Sequence, residues 1–182
     1  MTIIELDTPR LHLRGWRELD SEPFFKLNSS PQVMRYFPAV LNKEQSDQLM
    51  AAIMARFVSQ GGWGLWAVEL KSQNVFIGFT GLNIPTCTLP CSPCTEIGWR
   101  FLPEYWQQGY ATEAAQTVVE FAFEQLKLDE IVAFTAVQNT PSEAVMKKLG
   151  MIKDPKNFNH PILPEGHWLQ EHVLYRLQNP NE

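Results

Sequence analysis

The chain contains no apolar run long enough to cross a bilayer, and near its start Glu5, Asp7 and Arg10 interrupt every hydrophobic stretch. Neither a membrane helix nor a secretory leader is expected, which makes the cytoplasm the expected location. Clustered positive charge is also missing. The formal charge is −5 and the lysines and arginines are scattered, which argues against a nucleic-acid-binding surface. Cysteine is scarce: Cys87, Cys91 and Cys94 all fall in "CTLPCSPC". That spacing covers only part of a four-ligand zinc set, and the odd count with interleaved prolines reads as a surface loop with free or redox-sensitive thiols. No metal site is expected. Repeats, low-complexity segments and linkers are absent as well, so residues 1–182 are read as one domain, long enough to bury a sizeable core anchored by six tryptophans.

The periodicities that are present alternate between strand and helix. "RLHLRGW" (10–16) places Leu11 and Leu13 on one side of a half-buried strand. Short helical stretches follow at 19–28 and 33–36. "NKEQSDQLMAAIMARFVSQ" (42–60) is a helix in which Asn42 caps the N-terminus, Gln45 reaches back to the cap and Leu49, Ile53 and Phe57 form the apolar face. Three strands come next, "WGLWAVEL" (63–70), "VFIGFTGLNI" (75–84) and "TEIGWRFL" (95–102). Gly78, Gly81 and Gly98 inside them read as bulges or as close approaches of another backbone. A helix is predicted over 110–126, a buried strand over 130–137, a short helix over 141–150 with Pro141 in its first turn, and a closing strand over 167–177. The order is that of a mixed α/β, or α+β, domain.

The stretch "WQQGYATEA" (106–114) combines a helix start with a bare glycine. The first amides of a helix are unpaired and carry partial positive charge, so they attract phosphate where no side chain blocks the approach. Gly109 and Ala111 leave such room. The nucleotide motifs Gly-x-Gly-x-x-Gly and Gly-Lys-Ser/Thr do not occur. Taken alone, the stretch fits a phosphate-receiving helix start and equally a helix start that merely tolerates glycine.

In its wider setting, "TEIGWRFLPEYWQQGYATEA" (95–114) resembles the acetyl-CoA-binding motif of the GNAT acetyltransferase superfamily. In that motif a strand leads to a loop of pattern Gln/Arg-x-x-Gly-x-Gly/Ala and then to a helix. "QNTPSEAVMKKLGM" (138–151) is similar to the superfamily's next motif. "TPRLHLRGWRELD" (8–20) and "WAVELKSQNVFIGFTGL" (66–82) resemble the Rim-type branch, that of the ribosomal-protein serine and alanine N-acetyltransferases. The resemblance covers nearly the whole chain in the right order.

The resemblance implies a GNAT fold: a mostly antiparallel, curved sheet of about seven strands, flanked by helices, with strands four and five splayed apart. It implies acetyl-CoA as cosubstrate, no metal, and pantetheine lying in the splay. Phe101 and Leu102 would offer it backbone groups; Gln107, Gln108, Gly109, Tyr110, Ala111 and Thr112 would hold the pyrophosphate; Asn139 would bond the pantetheine amides. Trp106 stands where the motif opens with Gln or Arg. For the acid, many members use a tyrosine at the position occupied here by Met146, which cannot donate a proton; the Rim-type pattern offers Ser142 instead, whose other reading is a helix-start residue.

Transfer to an amine also requires a base and stabilisation of the oxyanion. Glu96 lies close in sequence to the expected acetyl site and is a candidate base; an ordinary strand-surface charge is its other reading. The resemblance implies that the last loop and strand, with His160, His167, His172, Glu171 and Tyr175, border the acceptor side, and none of these is singled out as a base. The implied activity is acetyl transfer from acetyl-CoA to a primary amine, with a ribosomal-protein N-terminus, a peptide or a small amine as acceptor. A non-catalytic acyl-CoA sensor is the alternative that the missing tyrosine leaves open. The protein is expected to be a monomer or homodimer, without nucleic-acid or membrane partners.

Overall fold

The computed structural model describes residues 2–180. Two short strands, β1 (Leu6–Asp7) and β2 (Leu11–Arg14), form a hairpin, followed by a 3-10 turn at Glu18–Asp20 and helix α1 (Ser21–Ser29). A second 3-10 turn, Val33–Tyr36, precedes helix α2 (Lys43–Ser59), whose Asn42 and Gln45 form the expected reciprocal cap. Strands β3 (Leu65–Leu70), β4 (Val75–Asn83) and β5 (Glu96–Phe101) then build a meander. Helix α3 (Tyr110–Glu124), strand β6 (Glu130–Ala136) and helix α4 (Thr140–Lys148) follow, then β7 (Ile152–Lys153), β8 (Phe158–Asn159) and β9 (Glu171–Gln178).

All nine strands join one sheet in the order β1-β2-β3-β4-β5-β6-β9-β7, with β8 also pairing β9. This is the expected α/β architecture, with nine described strands where about seven are expected; three of the nine have only two residues. Two-residue strands hold too little of the period-two pattern to be read from sequence. Every pairing described is antiparallel except β5 with β6.

The two faces of the sheet are covered differently. On one, Trp16 meets Phe24 of α1 edge-on at 4.7 Å, and Phe24 meets Phe79 of β4 at 5.8 Å. Asn28 at the end of α1 donates to Ser46 of α2 at 3.0 Å, which ties the two helices together. On the other face Trp66 of β3 is fully buried against Phe121 of α3 at 5.4 Å, and Ala114, Ala115, Val118 and Ala122 turn the α3 stripe inward. Small residues let α3 lie close to the sheet, which places its N-terminus at the end of β5. Arg14 is buried as well, its guanidinium donating twice to Asp20 at 2.7 and 2.8 Å and once to Glu69 at 2.8 Å. A charge removed from water in this way needs those carboxylates.

The strand glycines divide. At Gly81 a side chain would collide with the Gly64 carbonyl at 2.0 Å, the close approach expected. The shift in the β3–β4 register between Val68 and Glu69 places a bulge beside Gly78. Gly98 is a correction. The β4–β5 register runs through it without interruption, and a Cβ there would meet nothing within 4 Å. Neither a bulge nor a crowding backbone requires that glycine; open space lies above it.

Candidate active site

The seam between β5 and β6 is closed at a single register pair, Glu96 with Val132, where the Val132 N–H donates to the Thr95 carbonyl at 3.0 Å. Beyond that pair the strands part. On its other side β5 pairs with β4 along its whole length. The Leu102 N–H donates to the Ile77 carbonyl at 2.9 Å, which fixes the alternation: even-numbered residues of β5 bond β4, and Trp99 and Phe101 turn toward the open seam. The two backbone positions proposed from sequence therefore differ. Both polar groups of Leu102 are used, its carbonyl accepting from Tyr105 N–H at 3.0 Å. The Phe101 carbonyl accepts from the Trp106 indole at 2.7 Å, and its N–H faces the seam. Trp106, an exception to the motif, thus has a structural use in capping the end of β5.

The loop from β5 to α3 turns at Gln107 (φ 58°) and Gly109 (φ 83°), both in the left-handed region. Gly109 is the N-cap of α3 and supplies no capping side chain, whereas Asn42 caps α2 and Asn139 caps α4. The first-turn amides of α3, at Tyr110, Ala111 and Thr112, are therefore left to an outside acceptor. These residues fit the pyrophosphate of acetyl-CoA: the cradle is backbone, its key residue has no side chain, and the helix dipole favours an anion. Gln108 contributes in another way, its side chain donating to the Glu104 carbonyl at 2.8 Å.

A residue that sequence reasoning missed stands beside this cradle. Arg10 donates to the Gln108 carbonyl at 3.1 Å, pairs with Glu113 at 2.6 Å and lies 4.3 Å over the Tyr110 ring. Its Nη2 would be 3.4 Å from a Cβ at Gly109. Glu113 also accepts from the Thr8 hydroxyl at 2.6 Å; burial would raise its pKa, but the bonds from Thr8 and Arg10 win and hold the carboxyl below its ordinary range.

Asn139 and Ser142 meet at the start of α4, where the Asn139 side chain accepts from the Ser142 N–H at 3.3 Å and donates to the Thr135 hydroxyl at 2.9 Å. The asparagine amide is thus engaged as a cap. The Ser142 hydroxyl has no protein partner among the described residues. Met146 is 1% exposed and belongs to the core, which accounts for a side chain without proton chemistry there.

On the face covered by α1 and α2, β5 presents Glu96, Gly98 and Arg100. The Glu96 carboxylate accepts from Asn83 at 3.1 Å, and Arg56 of α2 bonds Asn83 in turn. Burial pushes Glu96 up to about 7, against the opposing pull of Asn83 and Arg56. A carboxyl of that affinity exchanges protons near neutral pH, as a general base must. Arg100 donates to Asn28 at 2.6 Å and lies 4.1 Å from the centre of the Phe37 ring.

The C-terminal candidates separate into different roles. Phe134, Phe158, His160 and His172 form an aromatic cluster with the two imidazoles 4.9 Å apart, and burial lowers the pKa of both histidines. Tyr175 donates to Glu143 at 2.7 Å, fastening β9 to α4; burial first and that carboxylate second push its phenol up to about 12. Glu171 accepts from Asn157 at 2.7 Å, and His167 stacks on Trp168. In the cysteine loop Cys91 and Cys94 bring their sulfurs to 3.2 Å, and burial pushes Cys94 up to about 12.

A sheet parted at one seam, an uncapped helix N-terminus beyond the end of β5 and an ionisable carboxylate on that strand fit an acyl-coenzyme A transferase. The comparisons agree. Residues 10–152 match the acetyltransferase (GNAT) domain. An uncharacterised N-acetyltransferase of Bacillus subtilis, YnaD, is 29% identical over 96% of this chain and 98% of its own. The FsC-acetyl coenzyme A-N(2)-transacetylase of Aspergillus fumigatus is 33% identical over 97% of this chain and 80% of its own. The crystal structure of a GNAT-family acetyltransferase from Bacillus anthracis superposes with a TM-score of 0.80 at 28% identity, covering 97% of this chain and 99% of that one. The chain belongs to the GNAT acetyltransferase family: it is an acetyl-CoA-dependent N-acetyltransferase. None of its described helices is long and apolar enough to cross a membrane.

Sequence reasoning missed Arg10, Asn83 and Arg100. Arg10 sits in the hairpin quoted for the Rim-type resemblance, but nothing local in that hairpin points to a loop a hundred residues away. Arg100 shares a face with Glu96 and Gly98, and period-two spacing on "EIGWR" was the available signal; Asn83 pairs with Glu96 from the neighbouring strand, which no local pattern shows.

Proposed function

We propose that this enzyme transfers acetyl directly from acetyl-CoA to a primary amine, on a protein N-terminus or a small molecule, without an acetyl-enzyme intermediate. The observation that carries the proposal is the seam that opens past Glu96 and Val132, with the uncapped start of α3 at its far end. The α3 amides and Arg10 hold the diphosphate, and pantetheine lies along β5, where the Phe101 N–H faces it. The amine enters over Gly98. Its nitrogen forms a bond to the thioester carbon, and the oxyanion is met by a backbone N–H of the β5 edge. Glu96 takes the amine proton, directly or through water. The C–S bond breaks, and the Ser142 hydroxyl supports the departing thiolate, which leaves as coenzyme A once protonated.

The test is thiol release from acetyl-CoA with peptides, amino acids, aminoglycosides and polyamines as acceptors. Release dependent on one acceptor class, with the N-acetyl product confirmed by mass, is expected. Stabilisation by coenzyme A with no release for any amine would count against it.

A further inference from the structure

We propose that the acceptor amine carries a carboxylate, and that Arg100 binds this group at the end of a slot opened by Gly98. The inference rests on the acetyltransferase reading and names the substrate class of the same site. Glu96, Gly98 and Arg100 share one face of β5, so the two charged residues lie about 13 Å apart along the strand. Between them a Cβ at Gly98 would touch nothing within 4 Å. The partners across β4 are Asn83, Gly81 and Phe79, so the floor of the slot has no side chain in its middle on either strand.

The two ends are chemically opposite. At one, Glu96 is suited to accept a proton from an amine. At the other, Arg100 carries a partly buried positive charge with no carboxylate partner among the described residues. Its Nη1 donates to the neutral Asn28 Oδ1 at 2.6 Å, and its buried Nε has no partner among the described residues. Phe37 and Phe79 lie at 4.1 and 5.2 Å from the guanidinium carbon. Aromatic faces stabilise the cation but accept none of its in-plane N–H bonds. Burial lowers its pKa to about 10, which still leaves it charged at neutral pH.

Arg14 shows what this protein does with a buried guanidinium that serves the fold: it gives it two carboxylates. Arg100 has none. A buried donor without an acceptor is costly, and a carboxylate docked on the Nε edge satisfies it in the bidentate geometry guanidinium favours. Phe37 is 38% exposed and is the ring that must tilt to admit the ligand. The same charge repels a polyamine, whose second ammonium would lie where the carboxylate belongs.

The experiment compares matched acceptors that differ only at the far end: ω-amino acids from β-alanine to 6-aminohexanoate, α-amino acids, their carboxamides, and diamines of equal length. Thiol release from acetyl-CoA is read as kcat/KM. The expected result is a preference of tenfold or more for an acid over its amide, with diamines poorest. Arg100→Met should raise KM for the acid at least tenfold, with little change for the amide and none in acetyl-CoA affinity. Arg100→Lys should restore part of the preference. Equal or better turnover of amides or diamines by the unmodified enzyme overturns the proposal without any variant having to fold. An equal loss for acid and amide in Arg100→Met overturns it too. Absence of release from every amine instead refutes the acetyltransferase reading beneath it.

Discussion

Arg10 and Glu113 pair at 2.6 Å across the gap between the first hairpin and the first turn of α3. The same guanidinium donates to the Gln108 carbonyl and covers the Tyr110 ring, so one side chain fixes the loop proposed to receive the diphosphate. Because Arg10 is 44% exposed at its side chain, the pair itself adds at most about 1 kcal/mol to stability. Its larger effect is on binding. Arg10→Met is expected to weaken acetyl-CoA binding about tenfold, ~1.4 kcal/mol, with little change in melting temperature. Calorimetric titration at two salt concentrations checks this: the variant's affinity should depend less steeply on salt.

Gly109 can be tested at two levels. At φ 83° any side chain is strained, and a Cβ would reach Arg10 Nη2 at 3.4 Å. Gly109→Ala should therefore cost about 1 kcal/mol and weaken acetyl-CoA severalfold. Gly109→Glu places a carboxylate in the proposed diphosphate cradle and should abolish binding while the circular dichroism spectrum is retained. Unchanged affinity in the glutamate variant would remove the cradle from this loop.

Glu96 gives opposite signs in activity and stability. Its pKa in the folded protein is raised to about 7 by burial. As a base it works ionised, so kcat/KM should climb with pH through about 7, and Glu96→Gln should flatten that limb and lower kcat/KM by about a hundredfold or more. For folding, a raised carboxyl pKa favours the protonated form. The stability it contributes is complete below the ordinary carboxyl range and is lost as pH rises through about 7. Glu96→Gln should thus lose this pH dependence and be the more stable protein at pH 8, by up to ~3 kcal/mol. Denaturant titrations at pH 5 and pH 8 measure the difference.

What could be read in advance followed the range of the signal. The Asn42–Gln45 cap spans three residues and was legible, as was the alanine stripe of α3, because both are written locally in the chain. The motifs pointed to the family through resemblance, since glycine before a helix is ambiguous alone. Strands β1, β7 and β8 were invisible because two residues carry no periodicity. The pairings Arg10–Glu113 and Arg100–Asn28 join distant segments, and no local pattern encodes a partner seventy or a hundred residues away. Gly98 was misread for the same reason: a strand glycine signals missing bulk, and only the surroundings tell whether backbone or open space takes its place.

The Asn139–Ser142 pair separates a structural role from a chemical one. The Asn139 side chain caps α4, so Asn139→Ala should cost about 1 kcal/mol and lower the melting temperature by a few degrees. Ser142 contributes its backbone N–H to that cap, which alanine retains, while its hydroxyl has no protein partner among the described residues. Ser142→Ala should accordingly leave melting temperature and acetyl-CoA affinity nearly unchanged and reduce kcat. A weak donor hydrogen-bonding a leaving thiolate is worth about 1–2 kcal/mol, or roughly tenfold in rate. The reduction should shrink with a thioester whose thiol is more acidic, since a better leaving group needs less help. If kcat is the same with and without the hydroxyl for both thioesters, Ser142 is a helix-start residue alone, and the thiolate takes its proton from water.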